Sequence, residues 1–430
     1  MAEISIERLQ VEHVATLQQR YEQAVTQAGY DALLISSGAA PLRYGDDHSY
    51  VFQGYGPFVH WTGLPELEHS WLLIRPGHRP VLWVYTPEDF WHATPALPQA
   101  PWTDLLDVQG MRSRSVPDLS DCGRVAVLGD PACLVGVAAD PNPAALLGGV
   151  EAARVHKTPY ELHCLEVASA RAARGHQAAA HTFLAGGSEF DISLAYQQAT
   201  AQRAAEAPYH SIIGLNEHAG ILHYQYYASE RPPEGRSLLI DAGYRYRGYG
   251  SDITRTYAAP GQDLFQALID GLEAIQRRVC AAVAPGVDFV ALHDTTHRAL
   301  ATLLRALGLV TGLTEEAIVT RGITRVFFPH GLGHLLGVQV HDVAGKPRKA
   351  PDHAPFLRLT RPLETGMVVT IEPGVYFIPS LLEPLLAGAL GKHINRPMLD
   401  ELRPCGGIRI EDNLVVTAAG SDNLTRRYLS

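Results

Sequence analysis

No apolar run in the 430-residue chain reaches the roughly 18 residues that a membrane helix requires, so no membrane span is expected. Charge of one sign never gathers either. Lys and Arg total 35 against 45 Asp and Glu, a net charge of −10, and no block of five or more like charges occurs. A nucleic-acid binder normally presents a basic face, so no nucleic-acid partner is expected. Cysteine is scarce. The five cysteines, Cys122, Cys133, Cys164, Cys280 and Cys405, are scattered, odd in number and free of CxxC pairs. That argues against a disulfide framework and against a thiolate zinc site, and fits a reducing cytoplasm. Residues 1–10 carry Glu3 and Glu7 and no apolar stretch flanked by basic residues, so they do not read as a secretory signal. There is no internal repeat and no low-complexity tract.

What the chain has is core material. Apolar residues make up 46% and charged residues 19%, a globular balance. The length exceeds the roughly 250 to 300 residues over which one core ordinarily grows, which predicts two domains.

The first part alternates helical and extended patterns. Val14, Leu17, Tyr21, Ala24 and Ala28 recur at helical spacing before Gly29, and Ala32 to Ile35 is a short apolar run. Trp71 to Ile74 and Val81 to Tyr85 flank the turn Arg75-Pro76-Gly77-His78, and Val125 to Leu128 reads as another buried strand. An α/β domain is therefore expected over residues 1–157. At Thr158-Pro159-Tyr160-Glu161 an N-cap Thr, a Pro at the first helical position and a Glu placed to close a capping box open a long helix. The second domain is expected over residues 158–430, with further helices near Leu264 to Val283 and Asp288 to Leu307 and its notable strands all after residue 236.

Chemistry gathers in that second domain. Ser237 to Asp241 is an apolar strand ending on a carboxylate, and Ser251 to Tyr257 alternates. A hairpin turning at Tyr246-Arg247 would set Asp241 opposite Asp252, and like charges facing each other at roughly 5 Å are destabilising unless neutralised. A divalent metal would do so; the alternative is a pair of solvated hairpin carboxylates. From Pro329 to Asp342, the three histidines His330, His334 and His341 are threaded through Gly331, Gly333, Gly337 and apolar residues. They are metal ligands or catalytic groups, or else buried structural imidazoles with partners. The segment matches neither the zincin pattern nor the dinucleotide fingerprint. Met367 to Glu372 runs apolar into a carboxylate, and Gly407 to Val416, read as one strand, puts Arg409 and Glu411 on one face. Each carboxylate has a salt-bridge alternative. Four on strand-like runs, with a histidine, point to a shared purpose.

In order, Asp241 in LLIDAG, Asp252 in SDITRT, His334 in HGLGH, Glu372 in TIEPG and Glu411 in GGIRIEDN resemble the dinuclear metallopeptidases of the pita-bread fold, the group containing methionine aminopeptidases and proline-specific peptidases. Within that group the stretches APYHSIIGLNEHAGILHY and IEPGVYFIPSLL, and the long connection from Phe377 to Pro404, are similar to bacterial Xaa-Pro dipeptidases. The resemblance implies a creatinase/prolidase-type α/β N-terminal domain and an α+β pita-bread catalytic domain. It implies two divalent ions per chain, with Asp241 chelating one, Asp252 and Glu411 bridging both, and His334 and Glu372 completing the other's shell. An oxygen-rich set with one imidazole suits manganese, with Co²⁺, Fe²⁺ and Zn²⁺ as competitors.

Hydroxide bridging the two ions would attack the scissile carbonyl of an Xaa-Pro dipeptide and release proline. Glu372 would shuttle the proton to the leaving imino nitrogen. His223 and His341 resemble the family's substrate histidines, for the oxyanion or the substrate carboxylate. Arg409 would bind that carboxylate or brace a ligand. His330 stands beside the metals toward the substrate, or is structural, and Tyr209 closes the small pocket. The resemblance further implies a cytoplasmic homodimer in which the loop bearing Asp46 and Asp47 helps close a neighbouring site; the alternative is an ordinary acidic loop. Three other functions compete: Xaa-Pro aminopeptidase action, a binding protein on a retired peptidase scaffold, and organophosphorus ester hydrolysis as a side activity. A retired scaffold generally loses ligands, whereas all five are present here.

Overall fold

The computed structural model describes residues 5–429. The chain divides into two compact units, one running up to Cys164 together with Arg247–Tyr249, the other comprising Leu165–Tyr246 and Gly250 onward. Among the described residues no helix is long and apolar enough to cross a membrane.

In the first unit, helix α1 (Ile6–Gln27) is capped by the Ser5 hydroxyl and buries Val14, Leu17, Tyr21 and Ala24, the stripe its spacing predicts. Strands β1 (Ala32–Ser36), β2 (Trp71–Ile74), β3 (Val81–Tyr85), β4 (Asp107–Met111), β5 (Val125–Leu128) and β6 (Asp140–Pro141) form one sheet in the order β4-β3-β2-β1-β5-β6. Helices α2 (Gly56–Thr62) and α3 (Ala144–Ala153) complete the unit. Alternation along β1 sorts its residues. Leu33 and Ile35 join the core beneath α1 and α3, while Ala32 and Leu34 join a second core on the other face with Trp71, Val125 and Leu134. A sheet covered on both faces reads as continuous apolar runs, as β1, β2 and β5 do.

Helix α4 (Pro159–Leu184) opens with the expected capping box: the Thr158 N–H donates to Glu161 Oε2 at 2.8 Å and the Glu161 N–H to Thr158 Oγ1 at 3.4 Å. Helix α5 (Glu189–Thr200) follows, then β7 (Ile212–Leu215), a strand earlier than the sequence pattern suggested. Strand β8 (Ser237–Asp241) pairs antiparallel with β7 on one side and with β11 (Thr254–Ala258) on the other, and the short ribbon β9 (Arg245–Tyr246) and β10 (Tyr249–Gly250) stands between them in sequence. Helices α6 (Asp263–Ala281), α7 (Phe289–Ala306), α8 (Glu315–Thr320) and α9 (Ile323–Phe327) build the main core, where Phe265, Leu272, Leu304 and Phe327 meet Val375 and Ile408. Strand β12 (Val368–Ile371) pairs with β15 (Asp412–Thr417), which pairs with β16 (Gly420–Asn423). Strand β13 (Gly374–Tyr376) pairs with β14 (Gly407–Arg409), the two joined through helices α10 (Pro379–Ala387) and α11 (Arg396–Leu402).

Two expectations need correction. Gly407 to Val416 is not one strand: β14 and β15 pair with different partners, and Ile410 and Glu411 lie between them. The hairpin does not turn at Tyr246-Arg247. It turns at Arg247-Gly248, both with positive φ (49° and 89°), the backbone a tight two-residue turn demands and glycine supplies. The register shifts by two residues, so Asp241 faces Thr254 and Asp252 lies beyond the end of the pairing.

Candidate metal centre

The carboxylate candidates sit at or just beyond strand ends. Asp241 is the last residue of β8. Asp252 follows the ribbon, where its N–H donates to Asn413 Oδ1 at 3.0 Å and the Asn413 amide donates back to its carbonyl. That side chain supplies the rung that a partner strand would otherwise supply, and it fixes Asp252 without regular structure.

His334 arrives on an edge segment laid along β12. The Thr370 N–H donates to His334 O, the Glu372 N–H to Leu332 O and the Leu336 N–H to Val368 O. Gly333 permits this approach, because a Cβ there would stand 2.0 Å from Thr370 O. The His334 Nδ1 lies 2.9 Å from Leu335 O, which takes the hydrogen of that nitrogen and turns Nε2 toward the carboxylates. That Nε2 is 3.2 Å from Asp252 Oδ2 and 3.7 Å from Glu372 Oε1. Glu411, in the break between β14 and β15, accepts the Thr254 hydroxyl at Oε2 (2.7 Å), and its buried Oε1 has no hydrogen-bond partner. Ligand atoms of Asp252, His334 and Glu411 all lie within 4.8 Å of one another.

Asp241 is differently placed. Its Oδ1 accepts the Tyr209 phenol at 2.7 Å and its Oδ2 accepts Arg409 Nη2 at 2.6 Å. Arg409 also donates to Thr254 Oγ1 (3.2 Å) and, through Nη1, to the Tyr376 hydroxyl (2.8 Å). Its buried guanidinium is thus engaged with Asp241, a ligand candidate, and with Thr254 and Tyr376. The Tyr376 hydroxyl, accepting from Arg409, donates to His330 Nε2 at 2.8 Å, while the other ring nitrogen faces Gly331 O. His330 is therefore a neutral imidazole, pushed down to about 3 by burial and then by the Arg409 charge.

The electrostatics express crowding. Burial, then the charge of Asp252, raises Glu411 well above the carboxylate range, with Glu372 and Asp241 adding to it. Burial raises Glu372 to about 7, with Asp252 adding and His334 opposing. Asp241 is raised by burial despite Arg409. Burial acts on Asp252 in the same sense, but the His334 hydrogen bond outweighs it and holds Asp252 below its usual value, while His334 is raised in turn. Four carboxylates against one imidazole and one guanidinium need further positive charge. The donor set fits divalent cations: carboxylate oxygens, one of them orphaned, and an imidazole whose Nε2 faces them.

The His341 ring meets His334 edge-on at 4.4 Å and is open to solvent on its outer side. Exposed His223 is close enough for its charge to lower the His341 pKa. Asp46 and Asp47 lie on an exposed loop of the first unit, where both face His48 Nδ1 at 3.0 and 3.1 Å. Sequence reasoning gave no role to Tyr376, Thr254 or Asn413. All three sit inside the quoted motifs, but nothing local marks them as partners of Arg409, Glu411 and Asp252.

Residues 163–418 match the family described as metallopeptidase family M24, and residues 8–151 match the Xaa-Pro dipeptidase N-terminal domain. The chain is 63% identical over 418 residues to an Xaa-Pro dipeptidase of Marinobacter nauticus, covering 97% of each chain. It is 44% identical over 436 residues to one of Xanthomonas campestris pv. campestris, covering 99% of each. Among solved structures, Escherichia coli aminopeptidase P with the inhibitor Pro-Leu has a TM-score of 0.75 at 24% identity, covering 100% of this chain and 97% of that one. The aminopeptidase PepP of Pseudomonas aeruginosa also has a TM-score of 0.75, at 23% identity and with 99% and 96% coverage. The expected fold, an α/β N-terminal domain followed by a pita-bread catalytic domain, is the one found.

Proposed function

The chain belongs to metallopeptidase family M24, and from that premise we propose that it hydrolyses Xaa-Pro dipeptides in a metal-dependent reaction, releasing C-terminal proline. The observation that carries the reading is the buried cluster of Asp252, His334 and Glu411, with its orphaned Glu411 oxygen, inside a chain that matches Xaa-Pro dipeptidases end to end. Asp241, Asp252, His334, Glu372 and Glu411 would hold two divalent ions, and manganese suits their mostly oxygen donors. Bound there, the ions supply the positive charge the carboxylates lack and the Lewis acidity that makes a water nucleophilic near neutral pH.

The chain's own groups do the rest. Glu372 is the most open of the three ligand carboxylates whose side chains enter ion pairs, 17% exposed against 12% for Asp241 and 8% for Asp252. It takes the proton of the attacking water and passes it to the proline nitrogen as the carbon–nitrogen bond breaks. His223 and His341, at the open side, receive the substrate's carboxylate or its developing oxyanion. Arg409 and Tyr209 keep Asp241 oriented, and the chain Arg409–Tyr376–His330 fixes the wall beyond Glu372. The working form is a cytoplasmic homodimer in which the loop of Asp46 and Asp47 closes a neighbouring mouth. Five unpaired cysteines and the exposure of Leu42, Tyr44, Tyr50 and Val51 around that loop support this.

Leucyl-proline and glycyl-proline should be cleaved faster than a tripeptide with proline second, only with metal bound, and best with added Mn²⁺. Faster tripeptide cleavage would move the activity to Xaa-Pro aminopeptidase, and turnover surviving complete metal removal would sink the reading.

A further inference from the structure

The loop that carries His223 is closed at its base by one buried carboxylate. Glu189, the first residue of α5, is 1% exposed. Its Oε1 accepts the Leu215 N–H at 2.9 Å and lies 2.7 Å from His218 Nδ1. Its Oε2 accepts the Tyr224 phenol and the Ala228 N–H, both at 2.7 Å. One side chain therefore ties the last residue of β7, two residues of the loop and the residue where the loop ends. Tyr224, bonded to it, directly follows His223, and the His218 ring stacks on Tyr224 at 4.3 Å.

The backbone gives independent support. Asn216 (φ 54°) and Tyr227 (φ 43°) are left-handed without being glycine, a conformation costing of order 1–3 kcal/mol each that persists only where its surroundings hold it. They are the residues immediately inside Leu215 and Ala228, the two whose N–H groups end on Glu189. The carboxylate holds both strained corners at once. None of its four donors belongs to a metal ligand, so Glu189 plays no part in the five-ligand cluster.

We propose that Glu189 is a positioning residue for substrate recognition: it clasps the 215–228 loop so that His223 is presented to the dipeptide at a fixed height beside His341. The inference rests on the reading of His223 as a substrate-facing group. Replacing the carboxylate by an amide puts an NH₂ where only acceptors serve, facing N–H and O–H donors, and frees part of the clasp.

Glu189→Gln, His223→Ala and the double variant, all Mn²⁺-loaded, are to be compared on leucyl-proline, with Mn²⁺ affinity measured by titration calorimetry. Each single change should raise KM about tenfold, the worth of one or two hydrogen bonds to a charged group, with kcat far less affected and Mn²⁺ affinity unchanged. The double variant should be no worse than either single one. Losses that multiply, or a parallel fall in Mn²⁺ affinity, would overturn the clasp. A silent His223→Ala would instead remove the reading of His223 itself. If Glu189→Gln fails to fold, Tyr224→Phe, which deletes one of the four bonds, takes its place. It should raise KM roughly two- to threefold, because the other three bonds to Glu189 remain, and non-additively with His223→Ala; additivity would overturn the proposal.

Discussion

At the start of α4 two imidazoles, His13 and His60, face one carboxylate, Glu161, whereas in the catalytic domain one imidazole, His334, faces Asp252, Glu372 and Glu411. Both groups are buried. In the first, Tyr21 donates to His60 Nδ1 (3.0 Å) and His60 Nε2 points at Glu161 (3.2 Å), while His13 bridges Thr158 Oγ1 and His60 O. Neutral imidazoles and an ionised carboxylate account for that pattern, with His60 Nε2 near Glu161 but off the line of a hydrogen bond. Burial works to raise Glu161, and His60, then His13 and Lys157, outweigh it, so its carboxyl stays below the usual range. In the second, Glu372 and Glu411 are raised and one oxygen is left without a partner. Burial of a His–carboxylate group is therefore no sign of a metal by itself. The sign is the count of acceptors left over once every donor has been assigned.

Substitutions of like size should separate the two groups. Asp252→Asn should lower turnover at least about a thousandfold and abolish stoichiometric metal binding, read by elemental analysis, because it removes a charged ligand at the centre of the site. Retained metal and activity would dissolve the contrast. Glu161→Gln should leave metal content and KM unchanged while lowering unfolding stability by about 2 kcal/mol, the cost of leaving buried donors without the charged acceptor they face. A metal defect there would make the α4 cluster more than a structural clasp.

Acid should also discriminate. Burial, before any charge effect, pushes His13 down to about 4 from its ordinary 6.5, so between those values the unfolded chain binds a proton that the folded chain does not. Stability should therefore fall as pH drops from 6.5 toward 4, by about 1.4 kcal/mol per pH unit from this group. Urea unfolding of His13→Gln across that range should show a shallower slope. An unchanged slope would mean that other groups carry the acid sensitivity.

How much of this was legible depended on how far apart the partners lie in the chain. The Thr158-Pro159-Glu161 signal is local, and the helix begins there with its box intact. Asp241 and Glu372 stood out because each ends an apolar run, His334 because it lies among glycines and apolar residues, and the ordered set of five through its motifs. The register of β8 and β11 was not, because it hangs on turn chemistry at Arg247-Gly248, and choosing Tyr246-Arg247 instead displaced it by two residues. Gly407 to Val416 alternates like a single strand, yet it is divided between β13 and β12, a division decided by pairings more than 30 residues away. Asn413, Thr254 and Tyr376 escaped notice for the same reason: each acts on a partner from a distant strand, and no pattern of neighbours encodes that.

Tyr376→Phe is the finest test of the contrast, because it changes one hydroxyl in the wall of the metal centre. The hydroxyl accepts from Arg409 and donates to His330, both at 2.8 Å. Without it Arg409 keeps Asp241 and Thr254, and the ligand carboxylates keep their partners, so metal affinity should hold. His330 Nε2 would lose its donor and the ring its orientation beside Glu372, whose Oε2 lies 3.7 Å from His330 Nδ1. The expected result is a kcat reduced less than about tenfold, in line with one net hydrogen bond, with stability changed by about 1 kcal/mol. A loss of metal would show that the wall, and not only the ligands, sets the site's charge balance. That would bring the metal centre closer to the α4 cluster, where His13, His60 and Glu161 each face both of the others.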